Sequence, residues 1–443
     1  MQAPVLVRHG PGASDASDVQ APLRVHVEWS ERVSKDGSSA MHVETWLAVN
    51  PRDPLHLVAT AMVPEEGGSV VYVSRDGGRA WRRAAEAGTG ALVLPDLDPV
   101  VEFAPDGTPF FSTLADGFTV WRGEDGGSTW RRRGIVPGGT YDRQWLGFDA
   151  SGGSNHGRMH TAGKVPIRVL GSPAQDVAAF SWSDDQGKVF RQAHLVMPNP
   201  AEGGLNVLSH MIVLPTGGLV ATYQFFRWGQ RGQSGIIAGE MQTLLSRDGQ
   251  SWEGPFTAGP LRVYGNGAER SMMIKGLGGG RLAAAPARSG RLYLTWTHEI
   301  DGFLQVLLAS SSDGGRTWNE AVRVNDGGHH SNHSNPAVAV NASGEVAILW
   351  NDRRDDRGDL CFRPYATVSR DGGRTFLPSQ SLSSVPVCPS AGRWLNGGDT
   401  QGLVAMADGS FQALWIGAGA PASGALQMWT SRIAVRSPPA RVP

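Results

Sequence analysis

One eight-residue pattern recurs six times along the chain and constrains its fold more than any other feature. The pattern is Ser-x-Asp-x-Gly-x-x-aromatic, and the six segments are SRDGGRAW (74–81), GEDGGSTW (123–130), SDDQGKVF (183–190), SRDGQSW (246–252), SSDGGRTW (311–318) and SRDGGRTF (369–376). The second has Gly in place of Ser, and the fourth is one residue short. The first and last segments begin 295 residues apart, so the interval averages 59 residues. A repeat of this length is typical of architectures built from identical supersecondary units.

Each repeat predicts a tight hairpin between two strands. The Asp carboxylate can accept backbone N–H groups of the turn, Gly supplies a positive φ, and the aromatic ring packs between neighbouring units. The composition agrees, because 59 Gly, 28 Pro and 15 Trp among 443 residues suit many short strands joined by turns. The sequence therefore predicts an all-β protein.

The six segments resemble the Asp-boxes, or bacterial neuraminidase repeats, of the sialidase-like β-propeller superfamily. Further stretches look like the same superfamily, among them ETWLAVNPRDP, YDRQWLGFD and NPAVAVNASGEVAILWNDRRDD. The resemblance extends from about residue 25 to residue 435. It implies a β-propeller whose boxes lie between the third and fourth strands of each blade, on the face away from the active site. The boxes are therefore expected to be structural.

Counting the blades gives seven rather than six. Each box should follow an innermost strand, and such strands begin near Glu44, Asp98, Asp142, Asn206, Arg281, Ser334 and Asp399. The last unit lacks a box, and its fourth strand is available only from LRVHVEWS (23–30). We predict a seven-bladed propeller over 22–436, with six blades as the alternative, closed by pairing of the N-terminal strand with the C-terminal blade. Residues 1–21 are an expected extension and 437–443 a tail.

Aligning the innermost strands predicts two rings of polar side chains at the mouth of the central channel. The first ring comprises Glu44, Asp98, Arg143, Leu208, Arg281, Asn335 and Thr400. The second ring, two residues upstream and so expected on the same strand face, comprises His42, Asp96, Tyr141, Asn206, Gly279, His333 and Gly398.

These rings supply the candidate site residues. The expected catalytic groups are carboxylates, histidines and a tyrosine that could serve as acid, base or nucleophile, namely His42, Glu44, Asp96, Asp98, Tyr141 and His333. Arg143 and Arg281 are expected to clamp a substrate carboxylate. Further substrate contacts are expected from two ring residues, Asn206 and Asn335, and from three loop residues, Trp228, His298 and Glu299.

No cofactor is predicted. The loop HHSNHSN contains His329, His330 and His333, but their spacing matches no standard zinc pattern. The 40 basic and 41 acidic residues nearly cancel, which gives no argument for nucleic acid or an anionic membrane as a partner. No apolar run reaches 18 residues, so no membrane span is predicted. We expect a monomer that binds a glycan or another anionic small molecule.

Location and redox state stay open at this stage. The chain starts without the apolar stretch of a secretory signal, so it is either a mature extracellular or periplasmic chain, which we favour, or a cytoplasmic one. Cys361 and Cys388 are either one local disulfide or two buried thiols.

Three functions are compatible with these residues. The first is a sialidase-like glycoside hydrolase acting on a carboxylate-bearing glycan, although the family's Arg-Ile-Pro signature is absent and VPIRVLG does not replace it. The second is a polysaccharide lyase that uses Tyr141, Arg143 and His42 or His333 on uronic acids. The third is a non-catalytic binding or assembly scaffold. The density of ionisable groups at the mouth favours an enzyme, and an unsaturated product that absorbs ultraviolet light would identify a lyase.

Overall fold

The computed structural model describes most of the chain, in segments interrupted by short gaps. They are residues 23–36, 40–114, 117–140, 142–167, 175–199, 204–227, 236–264, 279–286, 290–328, 330–388, 397–419 and 425–437. Apart from one 3-10 turn at Pro64–Glu66, the regular structure in these segments is all strand. No helix in this part of the chain is long and apolar enough to cross a membrane.

Seven sheets form seven radial blades, each described here from its innermost strand outward. Blade 1 is Val43–Asn50, Asp53–Val63, Gly68–Ser74 and Arg82–Arg83, with Leu94–Pro95 added; blade 2 is Leu97–Phe103, Pro109–Leu114, Phe118–Glu124 and Thr129–Val136, with Ala85–Glu86 added; blade 3 is Asp142–Phe148, Met159–Ile167, Gln175–Ser183 and His194–Val196; blade 4 is Gly204–Val213, Leu219–Arg227, Ile236–Ser246 and Trp252–Tyr264. Blade 5 is Arg281–Ala284, Leu292–Ile300, Phe303–Ser311 and Val322–Arg323; blade 6 is His333–Val340, Val346–Asp352, Arg363–Ser369 and Gln380–Ser381; blade 7 is Gly402–Ala405, Phe411–Ala418, Leu426–Arg436 and Arg24–Arg32.

The N-terminal strand closes the ring. Arg24–Arg32 runs antiparallel to Leu426–Arg436, with Val25 opposite Val435. The innermost strand of blade 7 contacts the innermost strands of both blade 6 and blade 1. The prediction of seven blades closed by the two chain ends is confirmed, and the six-bladed alternative is wrong.

Five of the six boxes cap their turns with the Asp carboxylate, as the box in blade 5 illustrates. Asp313 Oδ1 accepts the N–H groups of Arg316 and Thr317 at 3.0 Å each, and the Gly315 N–H donates to Ser311 Oγ at 2.9 Å. Burial raises the pKa of Asp313, but hydrogen bonds from Thr317 and Ser311 outweigh it and bring the value to about 2. The carboxylate is therefore ionised and committed to the turn. In blade 2, where Gly replaces Ser, the turn is closed by a main-chain bond instead, from Gly127 N–H to Glu124 C=O at 2.8 Å.

Apolar side chains fill the wedges between adjacent blades. Between blades 1 and 2, Phe111 stacks on Trp121 with ring centroids 5.6 Å apart and meets the edge of Trp130 at 4.8 Å. The rings of Trp121 and Trp130 are almost completely buried. Because the wedges fix the angle between blades, the innermost strands are held rigidly around the central channel.

Cys361 and Cys388 form a disulfide at the edge of blade 6. The adjacent residues Phe362 and Val387 form an isolated antiparallel bridge. Of the two alternatives left open by the sequence, the structure therefore contains the local bridge.

Candidate functional site

The innermost strands of blades 1, 2, 3 and 6 share one β-bulge. The pairing with the second strand shifts register at the same place in each blade, between Val43/Trp46, Leu97/Val100, Asp142/Trp145 and Ser334/Ala337. Inside each bulge one residue adopts a left-handed φ, namely Glu44 (52°), Asp98 (54°), Arg143 (57°) and Asn335 (55°). These four residues belong to the first polar ring predicted above.

Left-handed backbone at residues other than glycine is uncommon and costs free energy. Such strain persists where the surrounding structure enforces it, and it is concentrated at functional sites. A bulge also redirects the side chain that it carries. The mouth of the channel is therefore built from four strained positions that share one geometry.

Asp399 lies where blades 1, 3, 5 and 7 meet at the mouth. Its carboxylate Oδ2 is 3.0 Å from Arg143 Nη2, its carbonyl oxygen accepts Arg281 Nη2 at 2.8 Å, and its N–H donates to Glu44 Oε2 at 2.7 Å. Its side chain is 24% exposed. Sequence reasoning used Asp399 only to mark the start of a strand, so the residue at the centre of the site was missed.

The loop before the innermost strand of blade 7 holds the Glu44 carboxylate. Glu44 Oε2 also accepts the Thr400 hydroxyl at 3.2 Å. A Cβ atom at Gly398 would lie 2.6 Å from the Glu44 carboxyl carbon, and the φ of Gly398 is +99°. Only glycine therefore permits this close approach. Asn335 Nδ2 donates to the Gly398 carbonyl at 3.4 Å, which attaches blade 6 to the same loop.

Arg143 and Asp142 keep opposite charges at the mouth. Burial alone lowers the pKa of Arg143, but the carboxylates of Asp399 and Asp142 outweigh it and raise the pKa above its ordinary value. Burial raises the pKa of Asp142, but the charges of Arg143 and Lys164 outweigh it and lower the pKa. Lys164 Nζ is 2.6 Å from Asp142 Oδ2. Both groups are therefore charged near neutral pH.

The Arg281 guanidinium is buried among groups of the protein, and its predicted place in a two-arginine clamp stays a prediction. Besides Asp399 it donates to the Ser209 carbonyl at 3.2 Å, and it lies 5.0 Å from the ring centre of Trp145 and 5.7 Å from that of Trp46. Only 3% of the residue is exposed. Burial first, and then the charge of Arg143, lower its pKa to about 9, so it stays charged near neutral pH. Arg281 therefore holds together the main chain on which the mouth is built, through the carbonyl groups of Ser209 and Asp399.

The second ring does not share the face of the first. The His42 ring is buried, with Nδ1 3.0 Å from the Ala40 carbonyl and Nε2 3.3 Å from the Tyr72 hydroxyl. His333 is equally buried, with Nδ1 3.0 Å from Asp352 Oδ2. The bulge interrupts the alternation that would have put both rings on one face, and a catalytic role for His42 and His333 stays a prediction.

The other described members of the second ring also bond within their own surroundings. Asp96 Oδ2 accepts the Thr113 hydroxyl at 3.1 Å, and Asn206 Oδ1 accepts the side-chain amide of Asn199 at 3.1 Å. Tyr141 lies outside the described residues. These side chains therefore do not assemble with the first ring.

The two loop predictions fare differently. His298 and Glu299 join blades 5 and 4, since Arg262 N–H donates to His298 Nδ1 at 3.2 Å and Arg262 Nε lies 2.8 Å from Glu299 Oε2. These contacts give both residues a structural role, and their role in binding substrate stays a prediction. Trp228 lies outside the described residues.

The three histidines of HHSNHSN are not assembled into a metal site by the residues that the structure describes. His330 is exposed, with its ring centre 5.9 Å from that of Phe303, whereas His333 points inward to Asp352. His329 lies outside the described residues. Across the described segments, no group of three His, Cys, Asp or Glu side chains is placed to hold a metal ion.

Two glutamines that sequence reasoning missed couple neighbouring bulges. The Gln144 side-chain amide donates to the main-chain carbonyl of Asp98, and that of Gln401 donates to the carbonyl of Asn335. Each glutamine directly follows a first-ring position, in YDRQW and GDTQG. A glutamine at the position directly after a first-ring residue was the one sequence feature that could have identified this pair.

Comparison with known proteins gives one family match over part of the chain and several structures of low similarity. The family model described as BNR repeat-like domain matches residues 207–416. No curated protein matches the chain by sequence. Similar solved structures include a protein of unknown function from Dyadobacter fermentans DSM 18053 (13% identity, 93% of this chain and 99% of that one, TM-score 0.48), an α-L-arabinofuranosidase from Fusarium graminearum (14%, 75% and 91%, 0.47) and the sialidase of Trypanosoma rangeli (14%, 92% and 60%, 0.42). With TM-scores below 0.5, these similarities carry no argument about this chain.

Proposed function

We propose that this seven-bladed β-propeller, whose repeats resemble the Asp-boxes of the sialidase-like superfamily, is a glycoside hydrolase acting at the channel mouth. The observation that carries the proposal is the grouping of three carboxylates, those of Glu44, Asp98 and Asp399, around Arg143. The charges of all three carboxylates, together with that of Asp142, help to raise the pKa of Arg143. Hydrolysis of a glycosidic bond needs two carboxyl groups in different protonation states.

The three carboxylates suit different roles. Asp399 pairs with Arg143 at 3.0 Å and is partly exposed, which suits a nucleophile or a base. Asp98, also partly exposed on its bulge, is the proposed acid. The acid gives its proton to the leaving glycosidic oxygen as the bond to the anomeric carbon breaks. A water molecule adds its hydroxide to that carbon, and the Asp399 carboxylate takes the proton that the water releases. The Glu44 carboxylate positions Asp399 by accepting the main-chain N–H of Asp399.

Hydrolysis is favoured over the two alternatives. A lyase reaction of the type considered above needs a histidine at the substrate, and the rings of His42 and His333 are buried against groups of their own blades. A passive scaffold gives no reason to maintain left-handed backbone at four equivalent positions, since an ordinary strand would close the ring at lower cost.

A second candidate is hydrolysis of a carboxylate-bearing glycan, and one observation favours it. Arg143 Nε is buried and makes no hydrogen bond within the described residues, and it lies 3.9 Å from Asp142 Oδ1. A carboxylate of the substrate could accept that N–H. An extracellular or periplasmic site of action fits the disulfide between Cys361 and Cys388, because such bonds persist in oxidising compartments.

The test is a screen of neutral, uronate-bearing and sialylated glycans with both reducing-end and ultraviolet readouts. On the best substrate, Asp399→Asn and Asp98→Asn should each lower kcat by roughly 100-fold or more. Asp184→Asn is the matched control, because Asp184 is an exposed carboxylate in a box, away from the mouth, and pairs with Arg158 at 2.7 Å. Normal turnover in both mouth variants contradicts the proposal.

A further outcome separates the candidates. If the substrate carries a carboxylate that binds Arg143, Arg143→Lys should raise KM for that substrate at least tenfold, because lysine cannot offer the same fork of donors. The same variant should leave the KM of a neutral glycan nearly unchanged. An ultraviolet-absorbing product would establish the lyase instead.

A further inference from the structure

A groove of about 320 Å³ opens between blades 5 and 6 on the face of the propeller that carries the boxes, away from the mouth. Its wall from blade 5 includes Arg291, Ser310 and Asn319, and its wall from blade 6 includes the box turn with Asp371 and Arg374. The proposed reaction uses none of these residues, so the groove is a second place where a ligand could bind.

The preceding pair of blades has a groove at the equivalent place, and an ion pair crosses it. Between blades 4 and 5, Nη2 of Arg316 in the blade 5 box is 2.7 Å from Glu253 Oε2. Glu253 directly follows Trp252, the aromatic residue that ends the box of blade 4. This groove has a volume of about 150 Å³. The charge of its box arginine is therefore already matched by the protein.

The groove between blades 5 and 6 lacks this carboxylate. Arg374 holds the same box position as Arg316, but the residue directly after the box aromatic of blade 5 is Asn319. Arg374 is exposed, and it forms no ion pair within the described residues. Its guanidinium is therefore available to an anion from outside the protein.

Two further differences between the grooves also favour an anion. The second and third strands of blades 4 and 5 pair in the same register relative to the box serine, so the two blades can be compared residue by residue. Arg291, directly before the second strand of blade 5, stands where blade 4 has Gly218. Ser310, directly before the box serine, stands where blade 4 has Leu245. The groove between blades 5 and 6 therefore has a cation and a hydroxyl that the preceding groove lacks.

The donors of the groove are held in place by their neighbours. Arg291 Nη1 is 3.5 Å from the Tyr293 hydroxyl, and a Cβ atom at Gly372 would lie 2.7 Å from the same nitrogen. The Arg291 guanidinium therefore lies against the turn of the blade 6 box. Asn319 Nδ2 donates to Ser310 Oγ at 3.0 Å, which leaves the hydroxyl proton of Ser310 to be donated to a ligand.

Two carboxylates also line the groove, and neither pairs with its arginine side chains. Asp371 accepts the N–H groups of Arg374 and Thr375 at 3.0 and 2.9 Å and the Thr375 hydroxyl at 2.6 Å, so it is committed to its own turn. Glu320 is exposed, and it forms no ion pair within the part of the chain that the structure describes. The two guanidinium groups are therefore left as the unpaired donors of the groove.

We propose that this groove is a second binding site, which takes a sugar that carries a carboxylate or a sulfate group. Arg291 and Arg374 bind the oxyanion, since a guanidinium offers a planar fork of N–H donors that matches such groups, and Ser310 donates its hydroxyl. The volume is at the lower end of that of ligand pockets and suits one sugar unit. The choice of a sugar rests on the glycoside hydrolase proposed for the mouth, whereas the choice of an anion rests on the groove alone.

The test measures binding of D-galacturonate and of D-galactose 6-sulfate to the full chain by titration calorimetry, with D-galactose as the neutral control. We expect saturable binding of at least one acidic sugar and none of D-galactose. Arg291→Gln and Arg374→Gln should each weaken this binding about tenfold, the effect of losing one hydrogen bond to a charged group. Arg316→Gln is the matched control, because Arg316 holds the same box position but pairs with Glu253, and it should bind as the wild type does.

A third variant keeps the proposal testable if the arginine variants fold poorly. Asn319→Glu restores the carboxylate that the preceding groove has, at an exposed position, and it should weaken binding at least tenfold while both arginines stay. Glu320→Gln removes an acid from the groove and should strengthen binding. Wild-type affinity for both acidic sugars in Arg374→Gln and in Asn319→Glu would overturn the proposal.

The groove and the mouth can be distinguished in the same experiments. Arg374→Gln should leave kcat on a short neutral substrate unchanged, and Asp399→Asn should leave binding at the groove intact. Binding that only Arg143→Lys weakens would place the acidic sugar at the mouth and overturn the groove site. Sodium sulfate that binds as tightly as both acidic sugars would overturn the assignment of a sugar. Normal turnover in Asp399→Asn contradicts the hydrolase alone, because anion binding by Arg291 and Arg374 does not depend on it.

Discussion

Replacing Glu102 by glutamine should make the protein progressively more stable than the wild type as the pH rises from about 4.5 to about 7. The pKa of Glu102 in the folded chain is about 7 against an ordinary value of 4.5. Between these values the folded state keeps a proton that the unfolded state has released, so the wild type loses stability as the pH rises. Below about pH 4.5 the residue is protonated in both states and contributes no pH dependence.

The size of the effect follows from the distance between the two pKa values. Each tenfold change in proton affinity is worth 1.36 kcal/mol, so the wild type should lose about 3 kcal/mol across this window, and water in the channel will reduce the loss. The unfolding entropy of a 443-residue chain is about 0.9 kcal/mol/K when scaled by residue. The corresponding change in the Tm difference is therefore about 3 °C.

The assay is differential scanning calorimetry of the wild type, Glu102→Gln and Glu320→Gln in buffers from pH 4 to pH 8.5. Comparing variants removes the contributions of other titrating groups, which are common to all three proteins. Glu320→Gln should follow the wild-type curve, because Glu320 is exposed. Parallel curves for the wild type and Glu102→Gln would refute the reasoning that the loss of hydration raises the pKa of Glu102.

Three other predictions concern the scaffold. Asp313→Ala leaves the turn N–H groups of Arg316 and Thr317 without their acceptor and should cost about 1–3 kcal/mol, with turnover of the folded fraction unchanged; a fully stable variant with lost turnover would contradict this. Deleting Arg24–Arg32 exposes the edge of blade 7 and should give aggregates in light scattering, whereas a monodisperse product would argue against ring closure. Replacing both Cys361 and Cys388 by serine should lower stability by roughly 2–4 kcal/mol and remove any effect of reductant on the Tm.

The fold could be predicted because its signals are local. A box encodes its own hairpin, since Ser311, Asp313 and Gly315 bond to one another and to the turn within a few residues. The number of blades required one further step, which was to count innermost strands instead of boxes. The box with Gly123 shows the limit of the pattern, because its turn forms without the carboxylate cap.

The candidate site was only half predictable, because the bulge has no local signature. Glu44, Asp98, Arg143 and Asn335 share a left-handed φ, yet only Asp and Asn are enriched in that conformation. A strand assumed to be regular carries His42 and Glu44 on one face, whereas the real strand separates them. Asp399 could not be found from its neighbours in sequence, because its partners come from three other blades.

The bulges also explain how distant blades can share one site. A regular innermost strand would present its side chains to the channel independently of its neighbours. Here the Gln144 amide bonds the carbonyl within the bulge of blade 2, and the Gln401 amide bonds that of blade 6. The bulges of blades 2 and 6 are therefore each stabilised by the next blade. Glu44 in the bulge of blade 1 accepts the Asp399 N–H just before blade 7, the blade that Arg24–Arg32 completes, so ring closure supports the geometry that a hydrolase needs.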